Sequence, residues 1–243
     1  MKTAKPIVGG WSEEQSTLLA RRLIDDVNGA QPRNVPTLRR IRREYSRQVS
    51  DAPASFVIEI ARILLKQEDT IPRYVPYELI SHHEAALASL GTRELEILGK
   101  GMDSWDDVDC FAGYLSGAAW RAGQIGDEVI AGWAHSKDRW WRRAALVSTV
   151  SLNVRPEVGG IEGGDAKRTL EVCDILMEDR DDMVVKAMSW ALRSLARRDP
   201  DSARAYMERN QEKLASRAIR ELTNILTTGL KNPRRDGPMK KPK

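Results

Sequence analysis

The chain contains few of the residues that metal and redox chemistry require. It has 3 histidines and 2 cysteines in 243 residues. His82 has Glu78 one helical turn before it, but no further ligand nearby completes a zinc set. Cys110 and Cys173 both fall within helical patterns, which favours reduced core residues over a disulfide. We therefore expect neither a metal nor a cofactor.

Long apolar runs and phosphate-binding loops are also missing. No apolar run approaches the roughly 18 residues that a membrane span needs, and the start of the chain lacks the apolar stretch of a signal peptide. The Gly-rich segment 159–164 has no preceding strand and no following Lys-Ser/Thr, so it is not a P-loop. No Gly-x-Ser-x-Gly nucleophile elbow is present. These absences disfavour hydride-transfer and membrane functions and predict a cytoplasmic protein.

Helical periodicity is present along nearly the whole chain. The pattern predicts helices at about 12–27, 37–49, 53–67, 75–90, 92–100, 104–122, 125–135, 137–152, 165–178, 181–198, 200–209 and 214–228. Consecutive helices pair into units of roughly 40 residues, the size of a HEAT-type repeat. The fold class is therefore predicted to be all-α, a curved α-solenoid with a concave surface; a compact helical bundle is the alternative. We expect one repeat domain over 1–230 and a basic, disordered tail over 231–243.

Positive charge is unevenly distributed along the chain. The net charge is +4, but the tail 231–243 has six basic residues against one acidic residue, so the remaining chain carries a net charge of −1. Within that near-neutral part, six arginines crowd 33–47 and four basic residues crowd 137–143. Such clusters are typical of a phosphate-binding surface. They are also typical of a solvated face that only keeps a protein soluble.

Two short blocks place a tryptophan beside a charge at helical spacing. In SWDDVD, Trp105 and Asp109 are four residues apart and share a helix face, on which Gly113 follows and leaves room for a ligand. In DRWWRRAAL, Trp140 and Arg143 are three apart, and we expect Arg143 to point outward as a planar fork for a phosphate. The alternatives are a buried ion pair for the aspartate and core positions for the tryptophans.

A third block, KAMSWALR, continues the pattern. Trp190 lies between Lys186 and Arg193, at −4 and +3, which predicts a stripe of cationic and aromatic side chains. A flat aromatic ring beside a carboxylate or guanidinium suits a ligand with a sugar, a phosphate and a π-face, which indicates a nucleic acid. The three blocks are about 35 and 50 residues apart, so in a helical-repeat array they can line one concave surface.

With these blocks in order, residues 75–225 resemble the AlkD-type DNA alkylation repair enzymes, a HEAT-like repeat DNA glycosylase family; the helix at 34–49 is compatible with it. The family has a Trp-x-x-x-Asp element, a Trp-x-x-Arg-Ala-Ala element and a tryptophan before a Leu-Arg stretch. The residues of this chain that match them are Trp105, Asp109, Trp140, Arg143 and Trp190.

The resemblance implies an activity and a set of roles. Members of the family remove positively charged alkylpurines, such as N7-methylguanine and N3-methyladenine, from double-stranded DNA by monofunctional glycosidic hydrolysis in base excision repair. It implies a catalytic group consisting of Asp109, Trp105 and Trp190. DNA contacts are then expected from Arg143, Trp140, Lys186, Arg193 and Arg142. We further expect a monomer that is associated with the nucleoid.

The chemistry of these roles is consistent with the residue types. Cleavage passes through an oxocarbenium-like sugar, which the carboxylate of Asp109 would stabilise while positioning the attacking water. Trp105 and Trp190 would face the deoxyribose. Because the leaving base is already cationic, no strong general acid is needed, and no histidine lies in the three blocks.

Two other functions remain open at the level of the sequence. A DNA-structure binder on the same scaffold would carry out no chemistry, and it would not need Asp109 near the phosphates. A protein-binding HEAT scaffold would present exposed apolar residues rather than tryptophan beside arginine and lysine, and its binding would lack the strong salt dependence of DNA binding.

Overall fold

The computed structural model describes residues 10–67, 70–158 and 161–233. Over those ranges all regular structure is helical and no β-strand occurs, which confirms the all-α prediction. None of the helices there is both long and apolar enough to cross a membrane. The chain forms two compact units, divided after Val129. A single domain over 1–230 and a concave surface stay predictions, and most of the predicted tail lies outside the described residues.

The first unit is built from helices of 5 to 16 residues, several of which begin at polar caps. Ser12 and Asn34, for example, accept backbone hydrogen bonds from Gln15 at 3.3 Å and Thr37 at 3.0 Å. A π-helical turn, Ala112–Ser116, joins the seventh helix to the eighth. The helices are α1 (Glu13–Asn28), α2 (Val35–Gln48), α3 (Ala54–Leu65), α4 (Tyr74–Ser81), α5 (Glu84–Ala88), α6 (Thr92–Gly99), α7 (Trp105–Phe111), α8 (Gly117–Arg121) and α9 (Asp127–Ala134), the last of which continues into the second unit.

The second unit is arranged around one central helix. Its helices are α10 (Arg139–Ser148), α11 (Ala166–Leu176), α12 (Asp182–Ala196), α13 (Pro200–Arg209) and α14 (Ser216–Thr228). Helix α12 packs against the other four, and its residues 187–189 and 191–196 are buried. Helices α10, α13 and α14 contribute buried residues such as Leu146, Tyr206 and Leu222 to the same core. This burial on several sides explains why α12 is apolar well beyond one stripe.

Three predicted helices are interrupted or change their helical type. The helix predicted at 75–90 breaks because the His82 N–H ends α4 on the carbonyl of Glu78, while His83 Nδ1 accepts from the Ala86 N–H at 3.0 Å and starts α5. The helix predicted at 137–152 tightens into a 3-10 turn, Thr149–Asn153. The helix predicted at 104–122 contains the π turn.

The π turn is tied to a buried carboxylate on α4. Glu78 is 2% exposed and accepts hydrogen bonds from Arg39 Nε at 2.7 Å and Arg42 Nη2 at 3.0 Å, both on α2. The hydroxyl of Tyr114, which is carried by the π turn, donates to Glu78 Oε1 at 3.2 Å. One carboxylate therefore joins α2, α4 and the turn that follows α7. A buried charge is stable only with such partners.

The start of α11 and the glycine before it are held by a buried asparagine, Asn153. Asn153 Nδ2 donates to the Thr149 carbonyl at 3.0 Å and to Thr169 Oγ1 at 2.8 Å, and its Oδ1 accepts from the Asp165 N–H at 3.2 Å. Gly164 has φ +79°, and a Cβ there would lie 2.6 Å from Asn153 Oδ1. Glycine is thus required beside this asparagine both for its backbone conformation and for space.

We predict that Glu78→Gln destabilises the first unit through the loss of a buried charge. The side chain of Arg42 is 4% exposed, so its charge would keep no full counterion and the free energy of unfolding should fall by about 3 kcal/mol. Glu44→Gln is the matched control, because Glu44 pairs with Arg40 at the surface and should lose less than about 0.5 kcal/mol. Urea denaturation measures the free energy of unfolding of both variants. Equal losses would contradict the assignment of Glu78 as the buried counterion of Arg42.

We also predict that two adjacent glycines differ in their tolerance of alanine. Gly163 has φ +72° with no atom within 4 Å of an added Cβ, so Gly163→Ala should lose only about 1 kcal/mol from backbone strain. Gly164→Ala adds overlap with Asn153 and Arg198 and should lose about 2 kcal/mol more. Thermal unfolding of the pair tests this, and a Gly163 variant as unstable as the Gly164 variant would refute the steric cause.

Candidate nucleic-acid interface

Helix α7 presents the first predicted block at its beginning. Ser104 Oγ accepts the Asp107 N–H at 3.2 Å and caps the helix. Trp105, the first residue of α7, is 56% exposed. Asp109 follows one turn later and is half-buried. At Gly113, inside the π turn, a Cβ would meet no atom within 4 Å. An exposed indole therefore lies one helical turn from a carboxylate, and the next glycine on the helix adjoins open space.

Negative charge is concentrated around α7. Burial raises the pKa of the Cys110 thiol to about 12, and the neighbouring carboxylates, among them Asp106, Asp109 and Glu78, reinforce the shift. Arg73 lies beside this helix, with its Nε 4.0 Å from Asp107 Oδ2. Three carboxylates within five residues of α7, those of Asp106, Asp107 and Asp109, favour a cationic group over a bare phosphate.

Helix α10 carries the second block, and its two members differ in exposure. Asp138 Oδ1 accepts the Trp140 N–H at 2.8 Å. Trp140 is half-buried, and the guanidinium of Arg139 lies 5.0 Å from its ring centroid, in cation–π contact. Arg143 is only 5% exposed, and its Nη1 donates to the Met183 carbonyl at 2.6 Å.

This placement corrects the expectation that the guanidinium of Arg143 points outward. Ala144 and Ala145 are buried beside it, so α10 lies close to α12 and the arginine spans the contact instead of leaving it. Arg143 therefore holds α10, the helix of Trp140, against the first turn of α12. The three-residue spacing of Trp140 and Arg143 cannot distinguish a guanidinium that points to solvent from one that bonds a neighbouring helix.

Arg142, the other cation predicted on α10, is already bound within the unit. Its Nε donates to Asp179 Oδ2 at 2.8 Å. Its Nη1 donates to the carbonyls of Ser136 at 3.0 Å and Lys137 at 2.9 Å. These bonds hold the segment before α10 and give Arg142 a structural role, so its predicted DNA contact gains no support from this placement.

Helix α12 separates the predicted cationic stripe into two parts. Trp190 is half-buried. The side chain of Lys186, one turn before Trp190, is 39% exposed. Its Nζ lies 2.6 Å from Asp182 Oδ2. Arg193 is only 8% exposed and lies 3.4 Å from Glu221 of α14. The expectation that Arg193 contacts DNA gains no support from this placement, because its charge is directed into the contact between α12 and α14.

Glu221 is the residue at this site that the sequence analysis missed. It is 3% exposed, and Ser189 Oγ donates to its Oε2 at 2.7 Å. The spacing of Arg217 and Glu221, four residues apart on α14, is a signal that could have found it. Ser189 is the residue before Trp190, so this bond also fixes the part of α12 that presents the tryptophan.

The histidines occupy structural positions away from the three blocks. His82 Nδ1 lies 2.8 Å from the Glu78 carbonyl oxygen, and His135 Nδ1 lies 2.8 Å from that of Ala131. His83 caps α5. In the part of the chain that the structure describes, no group of three or more His, Cys, Asp or Glu side chains is placed to hold a metal ion.

Comparison with known proteins identifies the family. No curated protein and no solved structure matches the chain significantly. A family model described as DNA alkylation repair enzyme matches residues 33–224, which span all three tryptophan blocks and both buried glutamates. A role in the repair of alkylated DNA implies DNA binding, which agrees with the clustered basic residues. The chain therefore belongs to the DNA alkylation repair enzyme family.

Proposed function

We propose that this protein is a monofunctional DNA glycosylase that releases positively charged alkylpurines, such as N7-methylguanine and N3-methyladenine, from double-stranded DNA. The observation that carries the proposal is the pair on α7. Trp105 is 56% exposed, and Asp109 lies one turn later on the same helix as the carboxylates of Asp106 and Asp107. An exposed indole in that position has no packing role that explains it, and it suits contact with a ligand.

The electrostatics around α7 match the proposed reaction. The sugar gains positive charge as the glycosidic bond breaks, and the leaving purine is cationic from the start. The Asp109 carboxylate would stabilise the sugar cation and position the attacking water. Asp106 and Asp107 add to the negative potential. A helix with this charge would repel undamaged backbone phosphates, so a simple DNA binder gains nothing from it.

The second unit supplies the other proposed contacts. The resemblance assigns Trp190 to the deoxyribose and makes Trp140 and Lys186 DNA contacts; all three side chains are partly exposed. The resemblance also assigns a phosphate to Arg143. That role needs a guanidinium at the surface, whereas Arg143 is buried and bonds the first turn of α12. We therefore propose that Arg143 holds α10 in place, so that Arg143→Ala should impair stability and, through Trp140, DNA binding.

We predict that Asp109→Asn abolishes excision without abolishing DNA binding. Single-turnover release of N7-methylguanine from a duplex should slow by at least about a hundredfold, because the carboxylate that stabilises the sugar cation is lost. Asp106→Asn is the matched control, on the exposed side of the same helix, and should retain most activity. Excision by Asp109→Asn at the wild-type rate would refute the proposed role. Salt-sensitive binding by the wild type without release of any cationic alkylpurine would favour the non-catalytic DNA binder.

We predict that Trp105→Ala separates activity from stability. Because the indole is largely exposed, its loss should change the free energy of unfolding by less than about 1 kcal/mol. Excision should fall at least about tenfold if the ring stabilises the sugar cation, and Trp105→Phe should restore part of it. Trp11→Ala serves as the control for the loss of a tryptophan outside α7. Trp11 packs edge-on against Phe56, with 4.9 Å between the ring centroids. A Trp105→Ala variant with unimpaired excision would contradict the assignment.

A further inference from the structure

A buried carboxylate on α14 is surrounded by more positive charge than it can neutralise. Four cations lie within 4.0 Å of Glu221, and we call Arg217, Arg220 and Lys231, the three whose side chains are exposed, the α14 cation cluster. The nitrogen–oxygen distances to Glu221 are 3.4 Å for Arg193, 3.9 Å for Arg217, 4.0 Å for Arg220 and 3.5 Å for Lys231.

The carboxylate stays ionised in this environment. Burial alone would raise the pKa of Glu221, but the hydrogen bond from Ser189 and the charges of Lys231 and Arg193 hold it below its ordinary value. Glu221 therefore contributes one negative charge at neutral pH. Asp182 adds a second, since its Oδ1 lies 3.9 Å from Arg217, but its Oδ2 pairs with Lys186. Because Asp182 is offset by Lys186, the four cations around Glu221 face a single negative charge. Three of their positive charges therefore have no counterion within the group.

The members of the cluster differ from Arg193 in exposure. The Arg193 side chain is 10% exposed and serves the α12–α14 contact. The side chains of Arg217, Arg220 and Lys231 are 38%, 63% and 45% exposed. Their distances of 3.5–4.0 Å from a single carboxylate exceed the usual length of a charge-assisted hydrogen bond. They are therefore held near one another while their donors stay accessible to a further anion.

The end of α14 is shaped to complete this group. Gly229 adopts φ +72°, and its N–H bonds the Ile225 carbonyl, so the chain reverses after α14. Asn224 Nδ2 then donates to the Lys231 carbonyl at 2.8 Å. These two bonds return Lys231 to the side of α14 that carries Glu221. Without the reversal, Lys231 would continue away from Arg217 and Arg220.

We propose that the α14 cation cluster is a binding site for backbone phosphate of duplex DNA. Like charges held this close repel one another, and a phosphate would remove that repulsion while it accepts several hydrogen bonds. The site takes over the DNA contact that the sequence analysis had given to Arg193. It lies on and just after α14, which packs against α12, the helix of Trp190, and the inference rests on the DNA-binding function proposed above.

The test is the salt dependence of binding to an undamaged 20-base-pair duplex, measured by fluorescence anisotropy. The slope of log Kd against log salt should fall by about 1 for each cation that contacts phosphate, hence by about 2 for R217Q/R220Q and about 1 for K231Q. Affinity at about 0.1 M salt should fall at least about tenfold for the double variant. These side chains are exposed, so the variants should melt like the wild type.

The control has the same change in net charge. Arg204→Gln with Lys167→Gln removes two exposed cations from α13 and α11, and its slope should change by less than half as much. A slope unchanged in R217Q/R220Q, or an equal change in the control, would overturn the proposal. Excision of N7-methylguanine by the wild type at saturating protein is measured in parallel. Failure of the wild type to excise would refute the glycosylase but leave the binding result standing.

Discussion

The cost of burying a carboxylate determines much of the arrangement within each unit. Glu78 and Glu221 are 2% and 3% exposed, and neither could remain ionised there without cations and hydroxyl donors from other helices. Glu78 takes its partners from α2 and the π turn, and Glu221 takes them from α12 and the end of α14. Each glutamate thus joins elements that lie far apart in sequence. In both cases more than one cation is recruited, so positive charge remains at the surface.

This arrangement links the interior to the proposed chemistry. The hydroxyl of Tyr114, in the turn directly after α7, donates a hydrogen bond to Glu78. The C-terminal end of the helix that carries Asp109 is therefore held by a buried carboxylate. Ser189 bonds Glu221 next to Trp190. The groups proposed to contact the sugar are therefore carried by helices that a buried carboxylate restrains, whereas Trp105 itself is exposed. Restraint of the backbone beneath a reacting group favours a fixed geometry, which electrostatic stabilisation requires.

Helix positions were predictable where the determinants are local. Ser104, Asp138 and Asp181 each cap the helix of a tryptophan block, and such caps can be recognised within a few residues of sequence. The breaks were not predictable, because the π turn coincides with the bond between Tyr114 and Glu78, which depends on tertiary contact. The same limit applies to the site. Helical spacing located Trp105 and Arg143 equally well, but only packing decides that one is exposed and the other spans two helices.

The thiol of Cys110 has a consequence for the durability of the protein. A thiolate reacts readily with electrophiles, whereas the protonated thiol is a weak nucleophile. With its pKa raised to about 12, Cys110 remains protonated in the neutral range. Agents that alkylate DNA also attack protein thiolates, and this cysteine adjoins Asp109. Burial suppresses the ionisation of this thiol, and the carboxylates that would stabilise a cation in the substrate add to the effect. The protein is thus protected at that position from the reagents whose damage its family removes.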